Sequence, residues 1–126
     1  MLDLSAKGYE LNEAIGVGGM CEVYKACQVA LQRNVAIKVL KSKFTDSPSQ
    51  CERFILEARN CSRIAHPNIV EIYEVDTLEG RPFIAMELVP GQTMRKLLDE
   101  GVTMKLGLEL FIQIAEALAY AHQKGI

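Results

Sequence analysis

Gly16-Val17-Gly18-Gly19-Met20-Cys21-Glu22-Val23-Tyr24 and, one turn later, Val35-Ala36-Ile37-Lys38 decide how this chain is read. The glycines let backbone N–H groups approach an anion with no side chain in the way. They lead into a strand-forming run, Glu22-Val23-Tyr24, so the strand–turn–helix that a dinucleotide fingerprint requires is missing. The second run alternates Val35, Ile37 and Val39 on one face with Ala36, Lys38 and Leu40 on the other. Ala36 and Lys38 therefore share a face, roughly 6.6–6.8 Å apart. A small alanine under a flat base, with a lysine one step nearer the phosphates, is a workable seat for a nucleotide. Gly16-x-Gly18 alone is a weak signal, because tight hairpins use glycine without any ligand. A lysine on a strand is ordinarily a solvated one, so the pairing carries the weight.

Residues 9–17 read as a strand entering the glycine turn and 21–27 as the strand that returns. Residues 34–41 supply a third, giving an antiparallel meander. Ser47-Pro48-Ser49-Gln50 offers an N-cap serine, a proline at the first helical position and a capping-box glutamine. That signal predicts a helix to about Ile64, ending before His66-Pro67. Two further strands are expected near 69–75 and 82–88, joined by a turn at Glu79-Gly80. Thr93 is placed to cap a short helix to about Asp99, and Thr103 a longer one to about Gln123. Five strands around one helix, then helices only, is an α+β order.

The totals narrow the function classes. The chain has 126 residues, 49% of them apolar, enough for one core. Its 14 basic and 16 acidic side chains are interspersed, for a net charge of −2. No basic stripe argues for nucleic acid. The four cysteines, Cys21, Cys27, Cys51 and Cys61, lack C-x-x-C spacing and read as reduced thiols of a cytoplasmic protein. The N-terminus has no signal-peptide pattern, and no apolar run is long enough to cross a membrane.

Glu57 is the third candidate. Phe54, Ala58, Cys61 and Ile64 form an apolar stripe at helical spacing, and Glu57 falls inside it. A carboxylate facing a core needs a partner, since an unpaired buried charge costs about 3–5 kcal/mol. Lys38 is the expected partner. A stripe-edge glutamate reaching water, or one paired with Arg53 four residues earlier, is the plainer alternative.

In order, the chain presents Ile15-Gly16-Val17-Gly18-Gly19, Val35-Ala36-Ile37-Lys38, Arg53-Phe54-Ile55-Leu56-Glu57, His66-Pro67-Asn68-Ile69-Val70, Met86-Glu87 and Gln113-Ile114-Ala115-Glu116-Ala117-Leu118-Ala119-Tyr120-Ala121-His122. Across residues 9–126 this set resembles the N-terminal half of a serine/threonine protein kinase, particularly the bacterial eukaryotic-like type. The resemblance implies a kinase small lobe over 9–90 (a five-stranded antiparallel sheet plus one helix) and the first two helices of a helical large lobe over 91–126. It implies ATP as ligand, with Ile15, Gly16, Gly18 and Gly19 in the loop that covers the phosphates. Val23 and Ala36 would pack on the adenine, Lys38 would hold the α- and β-phosphates, and Glu57 would fix Lys38. Met86 is similar to the gatekeeper, with the backbone of Glu87 and Val89 facing the adenine edge.

Two departures qualify that expectation. Cys21 stands where the family usually has its third glycine, so a left-handed φ would be costly there and altered loop closure is expected. No H-R-D or D-F-G occurs in these residues, so the family's catalytic base and Mg²⁺ ligands are not among them. The reading is of an ATP-binding portion that does not finish phosphoryl transfer by itself. The alternative is a pseudokinase-like module that binds nucleotide or docks a partner without turnover. In the last helix, Glu109, Gln113, Glu116, Tyr120 and Gln123 make one narrow polar stripe, and the rest is apolar. Residues 104–123 are therefore the expected surface for self-association or partner docking.

Overall fold

The computed structural model describes residues 2–126, which form two compact units. The first runs to Arg63 and resumes over Glu71–Leu88, and the second comprises Ile64–Val70 and Val89–Ile126.

The first unit is a five-stranded antiparallel sheet with one helix. Its strands are β1 (Tyr9–Val17), β2 (Cys21–Gln28), β3 (Arg33–Leu40), β4 (Ile72–Leu78) and β5 (Arg81–Glu87), in the order β1-β2-β3-β5-β4. Between β3 and β4 lies α1 (Pro48–Ser62). The β4–β5 hairpin closes through Glu79 (φ 50°) and Gly80 (φ 75°), the left-handed pair that a two-residue turn needs.

The period-two pattern of β3 divides the unit into two cores. Val35, Ile37 and Val39 are fully buried on one face with Tyr9, Ala26, Phe83 and Ala85. Leu4, brought over them by a single 3-10 turn at Ser5–Lys7, closes that side. The Lys7 ammonium donates to Asp76 at 2.5 Å and holds the turn against β4. Phe83 meets Tyr9 edge-on at 6.0 Å, and the Tyr9 hydroxyl donates to Glu74. Burying each of these large side chains is worth about 1.5–3 kcal/mol. On the opposite face Leu40 and Ile84 pack with Phe54 and Ala58 of α1, as the helical stripe predicts.

Three local expectations change. The fourth strand begins at Ile72 rather than near residue 69, because His66–Ile69 is spent on a turn. There the Ile69 N–H donates to the His66 carbonyl at 3.0 Å and the Asn68 N–H to the His66 ring at 3.1 Å. The capping box does not form. Ser47 is the N-cap residue, but its hydroxyl is shared with the Ser49 hydroxyl at 3.1 Å and caps no backbone N–H. Helix α1 ends at Ser62, two residues earlier than the pattern suggests.

The second unit holds α2 (Met94–Glu100) and α3 (Met104–Gln123). Both N-caps form as expected: Thr93 accepts from the Lys96 N–H and Thr103 from the Leu106 N–H, each at 3.2 Å. The His66–Val70 segment is tied to α3 by the Asn68 side-chain amide, which donates to the Gln113 carbonyl at 3.1 Å, and by the His66 ring, 5.2 Å from that of Tyr120. Most large apolar side chains of α3 stay exposed, among them Leu108, Phe111, Ile112 and Leu118. Among the described residues no helix is both long and apolar enough to cross a membrane.

Candidate functional site

Lys38 lies in the middle of β3, opposite Val23 on β2 and Ile84 on β5. Its neighbours Ile37 and Val39 are fully buried on the other face, so the register leaves the lysine no choice of side. Ala36 is on the lysine's face, directly opposite Met86, with Ile72 opposite Met86 in turn. Gly16 pairs with Val23 and completes this face towards β1.

A cavity of about 370 Å³ opens here, within the usual size range of small-molecule sites. Gly18, Gly19, Met20 and Cys21 line it from the turn, Lys38 from β3, and Arg53, Phe54 and Glu57 from α1. The turn is closed by the Gly18 N–H donating to the Cys21 carbonyl at 2.8 Å. Neither Gly18 nor Gly19 has a left-handed φ, and a Cβ built on either would meet nothing closer than an ordinary contact at 3.6 Å. The resting fold thus makes no demand for glycine at these positions. What their missing side chains leave is open room over the backbone N–H groups at the mouth of the cavity.

The structure brings Lys38 and Glu57 to the same cavity but does not join them. Glu57 is exposed, and its carboxylate accepts from the Arg53 Nε at 3.4 Å, one helical turn back. The expectation of a core-facing Glu57 bonded to Lys38 gives way to the plainer alternative. Phe54 and Ala58 take the buried positions, and Glu57 between them points to water, where no desolvation cost forces a choice of partner. The Lys38 ammonium lies 5.9 Å from the centre of the Phe54 ring.

The strain expected at Cys21 is also absent. Cys21 pairs with Leu40 in the β2–β3 ladder, and the only described non-glycine residues with positive φ are Gln32 and Glu79. Burial pushes the Cys21 thiol up; Lys38 and Lys41 pull it down and Glu57 pushes it up further. The net rise leaves the thiol protonated rather than poised as a nucleophile.

The other expected residues are spread more widely. Val23 and Met86 are half-buried beside Ala36, which is only 4% exposed. Ile15 is exposed at a register shift between β1 and β2. The Glu87 N–H donates to the Glu71 carbonyl at 2.9 Å, so recognition through Glu87 has to use its own carbonyl. Val89 is exposed and belongs to the second unit. Lys41 is a contributor that the pattern did not single out: its ammonium donates to the Gly18 carbonyl at 2.6 Å and its N–H to the Met20 carbonyl at 2.9 Å. Among the described residues no group of three or more His, Cys, Asp or Glu side chains is placed to hold a metal ion.

A family profile of the protein kinase domain matches residues 9–126. The chain belongs to the protein kinase family. Its kinase relatives include a probable serine/threonine-protein kinase of Clostridium acetobutylicum, 42% identical over 94% of this chain and 18% of the relative. Serine/threonine-protein kinase PknB of Mycobacterium tuberculosis is 42% identical over 94% of this chain and 20% of its own length. Among solved structures, the PknI kinase domain of M. tuberculosis superposes with a TM-score of 0.80 at 28% identity, covering 94% of this chain and 50% of that one. The chain thus spans about a fifth of the length of these curated kinases and half of that kinase domain, corresponding to its N-terminal part.

Proposed function

We propose that these residues form the ATP-binding portion of a serine/threonine protein kinase, whose reaction transfers the ATP γ-phosphoryl group to protein Ser or Thr. One observation carries the reading: the Gly18-Gly19 turn and Lys38 line a single cavity, and the fold itself asks for no glycine there. In this reading the Gly19 and Met20 N–H groups and the Lys38 ammonium meet the phosphates, while the Gly18 N–H keeps its bond to the Cys21 carbonyl. The adenine stacks over Val23 and Ala36 beside Met86, with the Glu87 carbonyl at its edge. Ile15 and Gly16 cover it from β1. Glu57 exchanges Arg53 for Lys38 when nucleotide is bound. The small lobe spans 9–90 and the large lobe begins at 91.

With no H-R-D or D-F-G among them, these 126 residues bind nucleotide and do not turn it over by themselves. Mg²⁺ then enters with ATP or through residues outside this set. A cytoplasmic setting agrees with the dispersed cysteines. The exposed apolar side of α3 favours a second reading, a docking module without turnover.

Equilibrium binding of a fluorescent ATP analogue separates these outcomes. Saturable binding that weakens at least about tenfold in Lys38→Met supports the nucleotide site. Binding that is absent, or unchanged by Lys38→Met in a folded chain, overturns it. Lys38-dependent labelling of a generic protein substrate from radiolabelled Mg-ATP overturns the expectation of no turnover.

A further inference from the structure

The first unit has a second concavity, on the face of the sheet away from the Lys38 cavity. Glu22 and Tyr24 of β2 pair with Val39 and Ile37, whose side chains are in the sealed core, so they lie on the opposite face from Cys21 and Lys38. Together with Arg81 at the start of β5 and the Lys41-Ser42-Lys43 segment after β3, they line a groove of about 560 Å³. Leu2 completes the lining. Three cations and one carboxylate face this groove, in a chain whose net charge is −2. The local sign is the reverse of the whole.

Its charges are partly arranged in advance. The Arg81 guanidinium is held by two bonds to the Leu40 carbonyl, at 3.3 Å from Nε and 3.1 Å from the terminal nitrogen, so it is fixed at the groove without a ligand. The Glu22 carboxylate, the one opposing charge, accepts from the Tyr24 hydroxyl at 3.0 Å. Lys43 is exposed, with no carboxylate partner among the described residues. Lys41 is bonded only to a neutral carbonyl, that of Gly18.

We propose that this groove binds a phosphate monoester carried on a peptide side chain. A dianion draws on all three cations, whereas a carboxylate carries a single charge to them. The volume greatly exceeds that of a phosphate group, and Leu2 and the Tyr24 ring give apolar surface for the stem that carries it. Lys41 is the shared element: its ammonium has three donors, one of them given to the Gly18 carbonyl, so an anion in the groove and that carbonyl draw on the same group. An anion that draws the ammonium towards the groove pulls on one of the two Lys41 bonds that hold the glycine turn to the end of β3.

The test uses no nucleotide and is run in Lys38→Met as well as in the parent. Phosphate entering the Gly18–Lys38 cavity is thereby told apart from phosphate in the groove, and the two readings fail separately. Backbone amide shifts of the 126-residue chain are followed by NMR during titration with inorganic phosphate, a phosphoserine peptide and the same peptide unphosphorylated. Expected are saturable shifts at residues 41–43 and 81 with both phosphate probes, tighter for the peptide, and a linked shift at Gly18 and Gly19. Lys43→Glu, an exposed change away from the cores, is expected to weaken the phosphopeptide roughly fivefold or more with an unchanged melting temperature. Lys41→Gln is expected to remove the linked shift at Gly18. Equal shifts from the unphosphorylated peptide, or shifts indifferent to Lys43→Glu, overturn the site. Shifts at 41–43 that leave Gly18 unmoved overturn the coupling. A response to inorganic phosphate alone overturns the peptide as occupant.

Discussion

Arg53 Nε stands 3.4 Å from Glu57 Oε1 where α1 lines the cavity, while Lys38 reaches into the same cavity from β3 without touching that carboxylate. The glutamate thus shares a cavity with two cations and is paired with the more exposed one. Side-chain exposures of 73% and 59% make the existing pair weak, worth about 0.3–0.5 kcal/mol for such a helical spacing. Arg53→Ala is accordingly expected to shift the urea midpoint by no more than that, while leaving nucleotide affinity equal or improved. Glu57→Gln is expected to lower affinity. If Arg53→Ala weakens nucleotide binding as much as Glu57→Gln does, Arg53 is a direct contact and the exchange of partners fails.

Phe83→Ala tests the sealed core. Phe83 is fully buried and packs edge-on to Tyr9, so its loss is expected to cost about 3–5 kcal/mol. That is a large share of the roughly 5–15 kcal/mol that stabilises a domain. Chemical denaturation followed by circular dichroism should show the unfolding free energy lowered by that amount, and a cost below about 1 kcal/mol would contradict the packing described.

Tyr9 should mark the alkaline limit of stability. Burial first, then its bond to Glu74, raises its phenol far above the usual value near 10. The folded protein therefore keeps this proton where the unfolded chain has lost it. The contribution is complete below about pH 10 and declines as pH rises above it. Unfolding midpoints measured from pH 8.5 to 11 should fall more steeply for the parent than for Tyr9→Phe, and parallel curves would show that Tyr9 ionises normally.

Helix α3 should drive association. Leu108, Phe111 and Leu118 are each more than half exposed on one helix of the second unit. Apolar surface of that extent is seldom left wet. Sedimentation velocity is expected to show concentration-dependent oligomers that Phe111→Glu with Leu108→Glu reduces to monomer. A parent that stays monomeric throughout leaves the exposed face without a self-partner.

How far the sequence could be read follows from where energy is concentrated. The faces of β3 were legible because a period of two with fully buried Val35, Ile37 and Val39 has one low-energy solution. Thr93 and Thr103 were legible because each cap is a local bond with no rival nearby. Ser47 and Gln50 looked equally good, yet Ser49 offered the Ser47 hydroxyl a competing partner. Glu57 was misplaced because helical spacing gives an angle, not a depth, and the stripe proved narrow enough to leave it outside. Arg81 and the groove it lines were invisible, since they join segments forty residues apart through a backbone carbonyl that no side-chain pattern encodes.

The alternation of β3 also acts as a check on assembly. A slip of one residue would put the Lys38 ammonium in the sealed core and turn Ile37 to the open cavity. The same slip that turns Lys38 away from the cavity also removes the stability of the sheet. The orientation of Lys38 and the sealing of the core are thus a single outcome of one strand's register.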